Sequence, residues 1–130
     1  VLSPQRPPEI TDRLNDAALV LRISYQAVSF LLPSDLSMGG QTALLKAGEW
    51  PLATVLQLPN HAGIRSLEAD FLAAVQAQVV VVQSDPTNRL SDPNPDTLAL
   101  LGNTPIFRTD VSGTLHFLTD GRELWATPSK

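Results

Sequence analysis

Few residues in this chain could do chemistry. Among 130 residues there are two histidines and no cysteine, so thiolate metal ligands and disulfides are excluded. His61 stands in "LPNHAGIRS" (58–66), between Asn60 and a glycine-containing loop. That setting suits a metal ion or a phosphate, and a loop histidine packed near a sheet edge is the alternative reading. Asp35 lies in "PSDLSMGG", where Pro33, Ser34 and Gly39-Gly40 break a preceding strand and leave the carboxylate on a loop. There it can hydrogen-bond the backbone of a turn or cap the next helix. Asp92 opens an Asp-Pro turn in "SDPNP". His116 is mid-strand in "GTLHFLT" and carries no functional expectation.

Each candidate follows an apolar segment that must position it. "AALVLRI" (17–23) and "AVSFLLP" (27–33) are β-branched, closely spaced runs and predict a β-hairpin. "QTALLKAGEW" (41–50) predicts a helix with apolar positions Ala43, Leu44 and Ala47 and Gly48 as its stop. "ATVLQLP" (53–59) reads as a strand. "SLEADFLAAVQ" (66–76) is the clearest helix, with Ser66 as cap, acidic Glu68 and Asp70 in its first turns, and a stripe of Leu67, Phe71, Leu72 and Val75. The four valines of "AQVVVVQ" (77–83) predict a strand buried on both faces. A loop (84–95) leads to a short helix, "PDTLALLG", opened by Pro95 and closed by Gly102. "TPIFRT", "GTLHFLT" and "ELWAT" then predict a closing β-meander joined by "DVSG" and "DGR" turns. The sum is an α/β (α+β) architecture, a mixed β-sheet with about three helices. The domain spans 17–127, behind a Pro-rich arm or loop at 1–16.

Composition narrows the function classes. One domain's length, 43% hydrophobic and 17% charged residues describe a globular chain. A net charge of −4 with scattered basic residues argues against a free-standing nucleic-acid binder. No stretch approaches the roughly 20 apolar residues of a membrane span. The opening "VLSPQRPPEI" has no signal-peptide pattern, and the chain is expected to be a piece of something longer.

Several segments together resemble one family. "VLSP" (1–4), "NDAALVLRISYQAVSFLLPSD" (15–35), "ATVLQLPNHAGIRSLEADFLAAVQAQVVVVQSDPTNRLSDPNPDTLALL" (53–101) and "PIFRTDVSGTLHFLTDG" (105–121) are similar, in collinear order, to the C-terminal half of a particular domain. It is the metallo-β-lactamase-like domain of ComEC-type competence proteins, the membrane channels of bacterial DNA internalisation. The resemblance implies half of an αββα sandwich, without the upstream H-x-H-x-D-H loop that supplies most metal ligands.

By this resemblance Asp35 matches the aspartate of the family's "TGD", a metal ligand. His61 matches the second histidine of "HHGS", and Asn60 replaces the first. Gly63 and Ser66 fall in the same loop, Asn88 matches an asparagine of the next one, and Asp92 stands where "YGHP" has histidine. A carboxylate there suits hard cations, which prefer oxygen. The full family domain would hold divalent metals, Mn²⁺ or Zn²⁺, about 3.5–4 Å apart to activate water on DNA. This fragment is expected to hold none. The resemblance thus implies a metal-dependent nuclease or hydrolase acting on single- or double-stranded DNA, catalytically incomplete as given. The alternative is a degenerate, non-catalytic binding or interaction module, favoured by the changes at Asn60, Ala62 and Asp92. The implied setting is an extracytoplasmic domain of a bacterial inner-membrane protein, soluble as a fragment, beside an upstream half-domain and the channel. A half-sandwich would expose an apolar sheet face, so a homodimer or altered packing is expected.

Overall fold

The computed structural model describes residues 1–4, 14–87 and 92–130. Strands β1 (Leu21–Tyr25) and β2 (Val28–Leu32) form the expected hairpin, with Ile23 opposite Phe30. From β2 the chain enters α1 (Met38–Lys46), returns as β3 (Val55–Gln57), and crosses through α2 (Ala69–Val75) to β4 (Val79–Val82). Helix α3 (Pro95–Ala99) then leads to β5 (Ile106–Arg108). Strands β2 to β5 are parallel, and the sheet order is β1-β2-β3-β4-β5. The class is mixed α/β with a mixed sheet. It has four α-helices among the described residues, one more than the sequence suggested.

Strand alternation gives this sheet two unlike faces. Leu31, Leu56, Val80 and Val82 point to one side and are buried with Leu36 before α1, Leu44 of α1, Phe71 and Val75 of α2, and Leu101 beyond α3. Phe30, Leu32, Val55 and Val81 point to the other side and line a cleft. The valine run is therefore not buried on both faces: Val80 and Val82 are buried, whereas Val79 and Val81 are half-buried. The reason is that all three crossover helices contribute to the same core, leaving the opposite face to whatever else the chain can supply.

What it supplies is a hairpin, β6 (Leu115–Thr119) and β7 (Leu124–Pro128), which pair only with each other. This corrects the expected meander. "TDVS" is a short helix, α4 (Thr109–Ser112), closed by Gly113 at φ +68°. It lifts the chain off the end of β5 before β6 can pair with it. Phe117 then packs edge-on against Phe30 (ring centroids 5.9 Å apart) and Phe107 (6.2 Å). The far turn is pinned where the Ala27 N–H donates to the Gly121 carbonyl at 2.9 Å. Gly121 is buried at φ +93°, and a Cβ there would lie 2.8–3.0 Å from the Gln26 side chain.

Two local features differ from the sequence pattern. Ala43 and Ala47 are exposed, and the buried residues of α1 are Gly40, Gln41 and Leu44. Helix α2 starts three residues after Ser66, whose buried hydroxyl has no hydrogen-bond partner among the described residues. The backbone at Glu68 is still extended, so Ser66 lies too far upstream to cap. Within the arm, Leu14–Ala17 form a 3-10 turn, and Ser3 bridges Val20 in antiparallel fashion.

Candidate functional site

Asp35, His61 and Asp92 sit on the loops that leave the carboxyl ends of β2, β3 and β4. In open parallel sheets this end is where ligands bind. The three loops are bolted together by hydrogen bonds. The Asn60 N–H donates to the Ser34 carbonyl (3.1 Å), and the Asn94 N–H donates to the Ala62 carbonyl (2.8 Å). The buried Thr97 hydroxyl donates to the Gly63 carbonyl (2.8 Å), and Ser84 Oγ donates to the Asp92 carbonyl (2.9 Å). Gln41, fully buried, donates through Nε2 to the carbonyls of Leu36 (3.1 Å) and Ser66 (2.8 Å) and accepts from the Glu68 N–H (2.9 Å).

The His61 loop is held in an uncommon backbone conformation. Asn60, His61 and Ala62 have φ of 53°, 54° and 58°, three consecutive left-handed residues without a glycine. Each costs on the order of 1–2 kcal/mol, so the surrounding hydrogen bonds must over-determine the turn. Its effect is to swing the imidazole outward while Ala62 stays buried. His61 Nδ1 lies 3.0 Å from the Gln83 carbonyl. A carbonyl can only accept, so Nδ1 carries the proton and Nε2 faces outward, 3.8 Å from Asp35 Oδ1. Both side chains are about half exposed (53% and 52%). A histidine oriented through one nitrogen by a backbone carbonyl is the usual arrangement behind a ligating or basic second nitrogen.

Asp92 does not join this pair. A Cβ built on Gly63 would meet its Oδ1 at 3.0 Å, so the carboxylate lies against the Gly63 backbone. Asn94, two residues on, caps α3 by accepting from the Asp96 and Thr97 N–H groups. Ser66 is buried beneath the loop, and Asn88 falls outside the described residues. Among the described residues no three His, Asp or Glu side chains stand together as a metal-binding group. One imidazole and one carboxylate are too few donors for a two-metal centre. The residues present do not fit such a centre by themselves.

Other carboxylates at this end are engaged locally. The Arg108 guanidinium grips Asp110 with two hydrogen bonds (3.0 and 2.5 Å) and holds its carboxyl below the usual aspartate range. Asp85 is likewise lowered by the Thr87 backbone N–H and hydroxyl. Thr109 completes the frame, donating to the Ser84 carbonyl (2.7 Å) and accepting from the Ser84 N–H (2.9 Å).

Residue-type scanning misses Gln41, Ser84, Gln83 and Thr97, the side chains and carbonyls that set this geometry. Only Gln41 left a trace, as a polar residue in the helical row of Gly40 and Leu44. Comparison with known proteins adds nothing to these observations: no known family, curated protein or solved structure matches the chain. No helix among the described residues is long and apolar enough to cross a membrane.

Proposed function

We propose that this chain is the C-terminal half of a metallo-β-lactamase-like domain of a ComEC-type DNA-uptake protein, and that its loops form one side of a site acting on incoming DNA. The observation that carries the reading is the outward-facing Nε2 of His61. Its ring is fixed through Nδ1, and it stands beside Asp35 on adjacent loops at the carboxyl end of a parallel sheet. The sheet's helix-free face, only partly roofed by β6–β7, supports it from a second direction. An upstream half-domain would lie there, or a second copy of the chain in its place. Such a domain would work outside the inner membrane, next to the channel, on single- or double-stranded DNA.

In the full family domain a divalent metal pair, Mn²⁺ or Zn²⁺, would supply an activated water. This chain's own contribution is to hold the His61 ring and present a lone pair beside a carboxylate. A second reading, a degenerate module that binds or packs without catalysis, is favoured by Asn60 in place of a histidine and by the Asp92 carboxylate resting on Gly63.

The decisive experiment removes the coding sequence for residues 14–130 in the host and scores natural transformation. Transformation is expected to fall to that of a strain lacking the uptake channel, and parental frequency overturns the proposal. Calorimetry with Mn²⁺ and Zn²⁺ and a single-strand degradation assay on the isolated chain separate the two readings of the site. The half-site predicts neither stoichiometric binding nor cleavage by the chain alone, and both restored by the upstream segment. A module predicts neither in either case.

A further inference from the structure

The open face of the sheet holds a cleft of about 540 Å³ beneath the β6–β7 hairpin. This volume is within the range of small-molecule sites. Its floor is Leu32, Val55 and Val81, and Phe30 and Phe117 wall one side. No lining residue is ionisable, so a charged ligand would lose its hydration without compensation. Toward the carboxyl end of the strands two amides stand side by side, Gln57 Nε2 donating to Gln83 Oε1 at 3.0 Å. That bond fixes the orientation of both amides, and Gln83 keeps its amide N–H donors and a second lone pair on Oε1 for a ligand at the edge of the cleft. An adjacent donor and acceptor on amide groups is the pattern by which glutamine reads the edge of a base. Apolar walls with aromatic rings suit a flat π-system.

We infer that this cleft binds an uncharged planar heterocycle carrying a neighbouring donor and acceptor, the chemistry of a nucleobase, with its polar edge on Gln57 and Gln83. The inference concerns the chain by itself and is independent of the DNA-uptake reading, in which an upstream half-domain would cover this same face. Gln83 nevertheless links the two places, since its backbone carbonyl orients His61.

The test titrates deoxyadenosine, and separately a short oligo(dA) strand, into the isotopically labelled chain while following its amide resonances. Saturable shifts at Val81, Gln83 and Leu115 are expected with deoxyadenosine, with a Kd on the order of 0.1–1 mM. Gln83→Leu keeps the backbone carbonyl but removes the donor, and should weaken binding by about tenfold. Thr114→Trp fills the exposed mouth and should abolish it. Thermal melts confirm that both variants are folded, and the map on the native chain stands whether or not they are. No saturable shift with deoxyadenosine, shifts elsewhere, or affinity unchanged in both variants would overturn the inference. Deoxyadenosine bound at these residues while the strand is refused upholds the cleft and counts against DNA as its source. Both bound alike upholds the cleft and places a strand's base in it.

Discussion

Gln41 offers the sharpest test of how the site is held. Its side chain is fully buried and makes three hydrogen bonds that join the Asp35 loop, through Leu36, to the His61 loop, through Ser66 and Glu68. Gln41→Met keeps the approximate volume and removes all three. At about 1 kcal/mol per bond the loss is about 3 kcal/mol, and the two carbonyls and one N–H left without partners keep it from being smaller. Against a total stability of about 5–15 kcal/mol this is a large fraction. With a urea dependence of about 1.5–3 kcal/mol per molar, the unfolding midpoint should fall by about 1–2 M. Hydrogen exchange at the Glu68 amide should rise more than at the core of β4, because its acceptor is gone. A second variant, Gln41→Glu, buries a carboxylate facing two carbonyls. Its folded-state pKa must rise above the unfolded value near 4.3. The native state then holds the extra proton, and stability relative to wild type should decline as pH climbs from 4 to 7. A midpoint shift below about 0.3 M for Gln41→Met, with unchanged slope, would refute the claim that this side chain ties the loops together.

Other expectations follow from the same geometry. Gln76 ends α2 at φ 53° with an exposed side chain, so Gln76→Gly should stabilise the fold by about 0.5–1 kcal/mol, read as a higher melting temperature. Gly121→Ala, at φ +93° against Gln26, should cost more than about 1 kcal/mol and free the hairpin turn, seen as faster exchange at Ala27. Because the Arg108 guanidinium depresses the Asp110 carboxyl, its stabilisation is present above the unfolded pKa near 3.9 and is lost as pH falls through the lower folded value. Asp110→Asn should therefore lower stability at pH 7, where that contribution is fully present, and flatten the acid dependence below the unfolded value. The exposed Ile23, Tyr25, Leu118 and Trp125 predict self-association when the chain is alone, and monomeric sedimentation at micromolar concentrations with no binding of apolar dye would contradict it.

Strand and helix positions were legible wherever local pattern and burial agree. Of the stripe Leu67, Phe71, Leu72 and Val75, Phe71 and Val75 are the buried side of α2, Leu67 is buried just before it and Leu72 is half-buried. Gly48 and Gly102 follow helix ends with positive φ. Local pattern fails where a long-range choice decides. Nothing in four successive valines tells that helices cover only one side of them. "DVSG" has the composition of a hairpin turn, yet Thr109 is bonded on both sides to Ser84, a residue 25 positions away, at the start of a helical turn. At the candidate site, residue type pointed to His61 and Asp35, which the fold brings within 3.8 Å. Asp92 was a candidate only by resemblance, with an Asp-Pro turn as the other reading, and the fold lays its carboxylate against Gly63. The imidazole's orientation was illegible because a backbone carbonyl fixes it, and carbonyls have no letter in a sequence.

The sheet order β1-β2-β3-β4-β5 repeats the order of synthesis. Each new strand finds its neighbour already in place at the growing edge, and each helix closes over apolar residues made only moments before. Assembly can therefore proceed from the N-terminal end while the rest of the chain is still being made, without waiting for a distant strand. A nascent chain that has emerged as far as Leu58 already contains all the residues of three neighbouring strands. The hairpin of β6 and β7 comes last and roofs a surface that has stood open throughout, so chaperone contact during synthesis should concentrate on Phe30, Val55 and Val81 until Phe117 arrives.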